Sequence, residues 1–165
     1  MTPRAVASPL ARVWLVVVVS CLVFEWSAFT LGPLCFWLSP VPVLLAWVYP
    51  LTKRFTWFSH FVLGLILGIA PYGAWIAVTG QFAWVPAFLT AGVMCWVAGF
   101  DMIYALQDVD FDRKRGLYSV PAKFGEVSTL RITRWLHVLA VLCWAAAGLL
   151  NGAGLIYGLG LVLVI

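Results

Sequence analysis

Long apolar segments dominate this sequence and restrict the folds that it can adopt. A helix needs about 20 apolar residues to cross a bilayer, and six segments approach or reach that length. Their approximate bounds are 12–30, 34–51, 59–79, 82–100, 131–150 and 153–165. The sequence therefore predicts an all-α fold, a polytopic transmembrane bundle of about six helices, in which the sixth segment is too short to be assigned as a complete span.

The composition excludes a soluble domain. The chain has 165 residues, of which 64% are hydrophobic and only 10% are charged, whereas soluble domains average about 25% charged residues. Its length suits one membrane domain, so we expect a single domain over residues 1–165. We expect membrane lipid as its surroundings and no nucleic-acid partner.

Basic residues are distributed asymmetrically between the connecting segments. If the six segments alternate in direction, every lysine and arginine falls on one side of the membrane. These ten residues are Arg4, Arg12, Lys53, Arg54, Arg113, Lys114, Arg115, Lys123, Arg131 and Arg134. Cytoplasmic loops are enriched in Lys and Arg, so this side is predicted to be cytoplasmic. Topology alone explains the asymmetry, and an anion-binding surface is the functional alternative.

All four aspartates of the chain lie in the stretch "DMIYALQDVDFD", residues 101–112. In a continuous helix, spacings of seven and four place Asp101, Asp108 and Asp112 on one stripe, with Asp110 elsewhere. Clustered like charges destabilise a helix, and a bound cation would offset this cost. Mg²⁺ binds through one or two carboxylates plus substrate phosphates. The pattern is therefore compatible with a Mg²⁺–diphosphate site, and a solvated loop of mixed charge is the alternative.

A second polar stretch, "YPLTKRFTW", lies on the same predicted side of the membrane. Its Tyr49, Lys53 and Arg54 follow the second apolar segment, where the two cations could hold phosphate oxygens. Anchoring of the helix end is the alternative interpretation. His60 and His137 have no spaced partners and are interpreted as interfacial or packing residues. Glu25 lies inside the first segment and is a functional candidate by default, although an interfacial position fits it equally well.

These two stretches together are similar to a known family. "DMIYALQDVDFDRKRGLYSVPAKFG" resembles the second aspartate-rich motif of the UbiA superfamily of intramembrane prenyltransferases, and "YPLTKRFTWFSHFVLGLILGIAPYGAWIAVTG" resembles its YxxxK region. The likeness is nearest to the 4-hydroxybenzoate polyprenyltransferase branch. It implies a nine-helix transmembrane fold around a lipid-facing cavity. It also implies transfer of a prenyl group from a polyprenyl diphosphate to an aromatic acceptor such as 4-hydroxybenzoate, in quinone biosynthesis.

The resemblance also implies roles for individual residues. Asp108 and Asp112, with Asp101 nearby, would be the catalytic carboxylates and the ligands of a Mg²⁺ cofactor. The residues that would contact the diphosphate are Tyr49, Lys53, Arg54 and, more weakly, Lys114 and Arg115. Other branches of the family, which make menaquinone, haem, chlorophyll or archaeal lipid precursors, remain open. A membrane transporter or scaffold is the alternative from a different class.

The sequence departs from the family pattern at one important place. The family's first aspartate motif, NDxxDxxxD, is absent from the 165 residues. By the resemblance we expect a partial prenyltransferase domain, roughly the third to the eighth family helix, without the first aspartate motif and the last helix. We expect such a chain to be inactive alone, and the resemblance suggests a bacterial inner membrane with the site facing the cytoplasm.

Overall fold

The computed structural model describes the backbone of residues 3–164 and the side chains of residues 10–164. Nine helices and short connections make up this range, which contains no strand. The helices are α1 (Pro3–Leu31), α2 (Pro33–Leu38), α3 (Pro40–Thr52), α4 (Ser59–Thr79), α5 (Trp84–Ala105), α6 (Val109–Lys114), α7 (Val120–Phe124), α8 (Glu126–Leu150) and α9 (Leu155–Val164). The predicted all-α fold is confirmed.

Five stretches within the described residues are long and apolar enough to cross a membrane. They are Leu10–Leu31, Pro33–Thr52, Ser59–Thr79, Trp84–Ala105 and Glu126–Leu150. The sixth predicted segment corresponds to α9, which has 10 residues and would extend only about 15 Å at 1.5 Å per residue. The protein is a multi-pass integral membrane protein.

The second predicted segment is not one continuous helix. Pro33 and Pro40 occupy first-turn positions of α2 and α3, where proline is favoured because the missing N–H is not needed there. Gly32 precedes α2 with a φ of 130°, a backbone conformation that glycine adopts without steric cost. The chain therefore turns at residue 32, whereas Ser39, between α2 and α3, keeps helical backbone angles (φ −59°, ψ −31°).

α1 and α3 run in opposite directions. Trp14, near the described start of α1, stacks on Trp47, near the end of α3, with ring centroids 5.5 Å apart. Towards the opposite end, the Ser39 hydroxyl donates to the Glu25 carboxylate at 2.5 Å. These two contacts place the start of α1 beside the end of α3.

The packed core lies along α5, which contacts α4 on one side and α8 on the other. Small residues allow the close approach: a Cβ added to Gly68 in α4 would lie 2.8 Å from the Thr90 carbonyl oxygen in α5. On the other side, the Thr133 hydroxyl of α8 donates to the Gly99 carbonyl at 3.2 Å. Small residues at helix contacts are typical of membrane bundles, where dispersion forces drive association.

The prediction that three aspartates share one helical stripe is wrong. α5 continues past residue 100 to Ala105, so Asp101 lies in its last turns, but the helix then ends and α6 starts at Val109. Leu106, Gln107 and Asp108 bond to carbonyls three residues back, which is the pattern of a tightening helix end. The seven-residue spacing from Asp101 to Asp108 therefore crosses a break and does not define a common face.

Candidate functional site

Two polar stretches meet at one end of the bundle. The Tyr118 amide donates to the Lys53 carbonyl at 2.7 Å, and the Trp57 and Phe124 rings pack edge to face with centroids 5.3 Å apart. The Lys123 ammonium lies 5.0 Å from the Trp57 ring centroid, within cation–π range. We call residues 53–60 and 101–125 the polar end. Their contacts place the two stretches at the same end of the bundle.

Asp112 and Lys53 form the centre of the polar end. Asp112 is only 2% exposed, and its Oδ2 lies 3.9 Å from the Lys53 ammonium. That distance permits an ion pair but exceeds a hydrogen bond, and the same Oδ2 has no hydrogen-bond donor in the structure. A buried carboxylate oxygen without a donor costs free energy. Lys53 and Asp112, which the sequence places on the same predicted side of the membrane, are therefore close together.

Asp108 precedes α6, four residues before Asp112. The Asp112 amide donates to the Asp108 carbonyl at 2.8 Å, so the two residues begin the same short helix. The Asp108 side chain is exposed and does not cap the helix. Asp110, between them, is also exposed. Among residues 10–164, no side-chain hydrogen bond or ion pair holds the Asp108 carboxylate.

Asp101 has a different environment from the other aspartates. Its Oδ2 lies 2.7 Å from Nδ1 of His60, whose side chain is fully buried, while the Asp101 side chain is 25% exposed. Tyr49 lies in the last turn of α3. Asp101 is thus fixed on one side by an imidazole and remains partly accessible on the other.

The other basic residues predicted to contact the diphosphate have fewer contacts with the rest of the protein. Arg54 and Lys114 are exposed, and the Arg115 guanidinium lies 5.5 Å from the Phe111 ring centroid. The structure thus brings Lys53 and Asp112 together but does not bring Arg115 to them. Among the described residues, no group of three or more His, Cys, Asp or Glu side chains could hold a metal ion by itself. A Mg²⁺ ion here would need ligands from a substrate as well as from the protein.

His60 is the residue of the polar end that the sequence did not identify as part of the site. It is 41 residues from Asp101, so no local spacing joins them. The sequence interpreted it as an interfacial or packing residue, and its fully buried side chain agrees with the packing alternative. The sequence feature that could have identified it is its position directly after the basic stretch, at the start of an apolar segment. His137, in contrast, packs on Trp96 with ring centroids 4.5 Å apart, as expected of a packing residue.

Apolar cavities lie between α1 and the helices that follow it. One, of about 560 Å³, begins at the polar end, where Val13, Trp47 and Pro50 line it. A second, of about 370 Å³, lies further along α1 towards Leu31 and Ser39, and Phe24 lines both cavities. Both cavities lie against α1 and are lined mainly by apolar side chains.

Comparison with known proteins decides the family. The UbiA prenyltransferase family matches residues 3–165. The chain belongs to this family. The UbiA homologue from Aeropyrum pernix K1, whose apo structure has been solved, superposes with a TM-score of 0.86 at 31% sequence identity, over 98% of this chain and 64% of that one. The predicted resemblance to the UbiA family is confirmed.

Curated UbiA relatives agree with the branch suggested by the sequence. The 4-hydroxybenzoate octaprenyltransferase of Shewanella halifaxensis is 36% identical over 132 residues, which cover 80% of this chain and 46% of that protein. A polyprenyl transferase from Arthrinium sp. is 36% identical over 121 residues, covering 71% of this chain and 38% of that protein. The chain therefore spans less than half the length of these UbiA relatives.

Proposed function

We propose that the protein contributes the diphosphate-binding site of a prenyltransferase that transfers a polyprenyl group to an aromatic acceptor such as 4-hydroxybenzoate. The observation on which the proposal rests is the buried Asp112 carboxylate, whose Oδ2 has no donor and lies 3.9 Å from the Lys53 ammonium. A carboxylate and an ammonium that face each other without a hydrogen bond can be bridged by a metal ion and a phosphate oxygen. Membership of the UbiA family and the names of the curated relatives support this choice of reaction.

The diphosphate would be held mainly by Lys53, with Tyr49 and Arg54 beside it. Lys53 is 29% exposed, so its ammonium can reach a ligand without leaving the protein surface. Lys114 and Arg115 could approach the outer phosphate oxygens, because both side chains are exposed. Cations and hydroxyl donors around a departing diphosphate stabilise the negative charge that develops as the allylic carbon–oxygen bond breaks.

Mg²⁺ is the cofactor that this donor set suits. Asp112 would be its main protein ligand, because the carboxylate is buried and its Oδ2 lacks a donor. Asp108 is the second candidate, from the same end of α6, and Asp101 is less suited because His60 already occupies its Oδ2. When bound, the ion would supply Lewis-acid stabilisation of the leaving diphosphate. Two carboxylates plus phosphate oxygens and water are a usual set for Mg²⁺.

The polyprenyl tail would lie in the two apolar cavities beside α1. Their walls are mainly apolar side chains, so an isoprenoid chain would be accommodated by burial alone. A ring carbon of the acceptor would form the new bond to the allylic carbon, and the ring proton would leave to water or a base. Exclusion of water by the apolar walls would protect the cation-like carbon.

The distribution of the basic residues supports one orientation in the membrane. Lys53 and the cations of residues 113–115 lie at the same end of the bundle, and we propose that this end faces the cytoplasm of a bacterial inner membrane. Single cysteines at Arg115 and at Gln81, in a variant without the four native cysteines, would test it. Labelling of the Gln81 site by an impermeant reagent on intact cells, without labelling at Arg115, is expected, and the reverse pattern would contradict it.

The test of the proposed function is prenyl transfer to 4-hydroxybenzoate in membranes, with an enzyme extended to the length of its curated relatives. Asp112→Asn should lower kcat/KM by roughly 10²–10³-fold, the size of effect seen when one charge-stabilising group is removed. Asp110→Asn is the matched control, because it removes an exposed aspartate of the same helix and should change kcat/KM by less than about twofold. Equal losses in the two variants would refute the site.

A further inference from the structure

His60 uses both of its ring nitrogens at the polar end. The residue lies in the first turn of α4 and is fully buried. Its Nδ1 is 2.7 Å from Asp101 Oδ2, and its Nε2 is 3.3 Å from the Val120 amide nitrogen. A fully buried imidazole with two polar partners on two other chain segments has little freedom to reorient.

The Val120 contact determines the tautomer of the imidazole. A backbone N–H can only donate, so Nε2 of His60 must be the acceptor and cannot hold a proton. The ring proton is then on Nδ1, from which it is donated to the Asp101 carboxylate. The Asp101 Oδ2 is thereby oriented by a charge-assisted hydrogen bond, which is stronger and more directional than a neutral one.

The same imidazole joins three elements. His60 begins α4, Asp101 lies in the last turns of α5, and Val120 begins α7. The neighbouring bond from the Tyr118 amide to the Lys53 carbonyl ties the same segment to the basic stretch. Residues 118–120 are therefore attached at two adjacent points to the stretch that contains Lys53. Loss of the imidazole would release the Asp101 carboxylate and remove one of the two bonds that hold the start of α7.

We propose that His60 is a positioning residue of the site: as the Nδ1–H tautomer it orients Asp101 and fixes the start of α7 beside Lys53. It acts through Asp101 and Val120 and touches no substrate. The proposal rests on the proposed function for its catalytic consequence, but the tautomer and the two hydrogen bonds do not depend on that function. Partners that orient ligating or charged groups are often worth roughly 10–100-fold in activity.

The first test measures the tautomer directly. The chain contains only two histidines, His60 and His137, so ¹⁵N-histidine labelling of the full chain in lipid bilayers, with His137→Gln for assignment, isolates His60. Solid-state NMR is expected to find a directly bonded proton on Nδ1 and none on Nε2. A proton on Nε2, in either the other neutral tautomer or the doubly protonated ring, would overturn the proposal whether or not the chain is active.

The second test uses exchange of the Val120 amide in samples labelled with ¹⁵N-valine. His60→Leu removes both hydrogen bonds, so this amide should exchange at least about tenfold faster, whereas His60→Gln retains a donor and an acceptor and should preserve most of the protection. His137→Gln, a variant of the other histidine, should leave Val120 protected. Unchanged exchange in His60→Leu would overturn the role of His60 at the start of α7.

The third test separates positioning from folding by prenyl transfer in the extended enzyme. His60→Leu should lower kcat by roughly 10–100-fold, with a smaller change in KM for the polyprenyl diphosphate because Lys53 and Asp112 remain. His60→Gln should recover most of kcat.

In an Asp101→Ala background, His60→Leu should lower kcat further by less than about threefold. Equal losses in both backgrounds, or failure of the glutamine variant to rescue, would overturn the positioning role. If the parent has no transfer activity, the proposed function fails, and the NMR and exchange results decide the inference about His60.

Discussion

The α1–α3 side of the bundle and the α4–α5–α8 side differ in how much of each is buried. Among residues 10–31 of α1, Ala28 is the single buried residue. α5 alone buries seven residues: Pro86, Gly92, Cys95, Ala98, Gly99, Met102 and Ala105. The buried polar contacts of His60 belong to the tightly packed side, whereas the apolar cavities lie against α1.

This contrast has a physical basis in what each side would bind. A diphosphate and a cation need side chains held in defined orientations, which packing and hydrogen bonds provide. An isoprenoid tail needs only an apolar surface, because burial of hydrocarbon is not directional. The rigid side is therefore suited to the reacting group, and the loosely packed side to the tail. The four predictions below test this division, from the largest expected effect to the smallest.

The largest effect on prenyl transfer is expected from extending the chain upstream through the family's first aspartate motif. In the α1–α3 side, Glu25 is the only acid among residues 10–52, and it bonds to Ser39 away from the polar end. We expect the 165-residue chain to give no detectable prenyl transfer, because the family resemblance implies a second carboxylate cluster. A version extended upstream through an NDxxDxxxD should be active in membranes. Equal turnover by the two would mean that the polar end described here suffices alone.

Replacement of Lys53 should lower both the transfer activity and the free energy of unfolding, and a second substitution at Asp112 should separate the two effects. Lys53→Met leaves the buried Asp112 carboxylate without its cation, and we expect roughly 10²-fold lower kcat/KM and a free energy of unfolding lower by about 1–3 kcal/mol. Adding Asp112→Asn should recover the stability but not the transfer activity. Prenyl-transfer kinetics and unfolding in mixed detergent micelles measure the two quantities.

Arg131→Gln is the control for Lys53, since it removes an exposed cation at the start of α8 and should change neither quantity appreciably. Recovery of activity in the double variant would contradict a diphosphate-binding role for Lys53 and Asp112. Recovery of stability alone would support it.

A methyl group at Gly68 should disrupt the packed side. The added Cβ would lie 2.8 Å from the Thr90 backbone oxygen, so Gly68→Ala should lower the free energy of unfolding by about 1–3 kcal/mol through overpacking. Gly73→Ala is the matched control in the same helix, because nothing lies within 4 Å of its Cβ. That control should be neutral or stabilising by up to about 1 kcal/mol, given the higher helix propensity of alanine. Similar destabilisation by both variants would contradict the close approach of α4 to α5.

The smallest effect on the free energy of unfolding is expected from a substitution on the α1–α3 side. Ser39→Ala removes the donor to Glu25, and we expect a loss of about 1 kcal/mol in the free energy of unfolding. Ser27→Ala is the control, because the Ser27 hydroxyl donates to the Val23 carbonyl of its own helix at 2.8 Å and holds nothing else. A loss for Ser39→Ala as large as that for Gly68→Ala would contradict the division into a tight and a loose side.

Much of the topology could be predicted from the sequence because hydropathy and charge act locally. Lys53 and Arg54 mark one helix end, and residues 113–115 mark another on the same side. The detailed boundaries could not be predicted equally well. Asp101 lies inside α5 because packing against α4 and α8 extends the helix past residue 100, and the break at 106–108 removed the stripe expected from the spacing.

By itself, the sequence determined a multi-pass helical membrane protein with its charges at one end, and two stretches sufficient to suggest the UbiA family. The reason is that apolar length, charge asymmetry and linear motifs are properties of consecutive residues. Only the tertiary structure decided which polar groups meet: Asp112 with Lys53, and His60 with Asp101 and Val120. Those partners are tens of residues apart along the chain, and the packing of α4 against α5 brings them together.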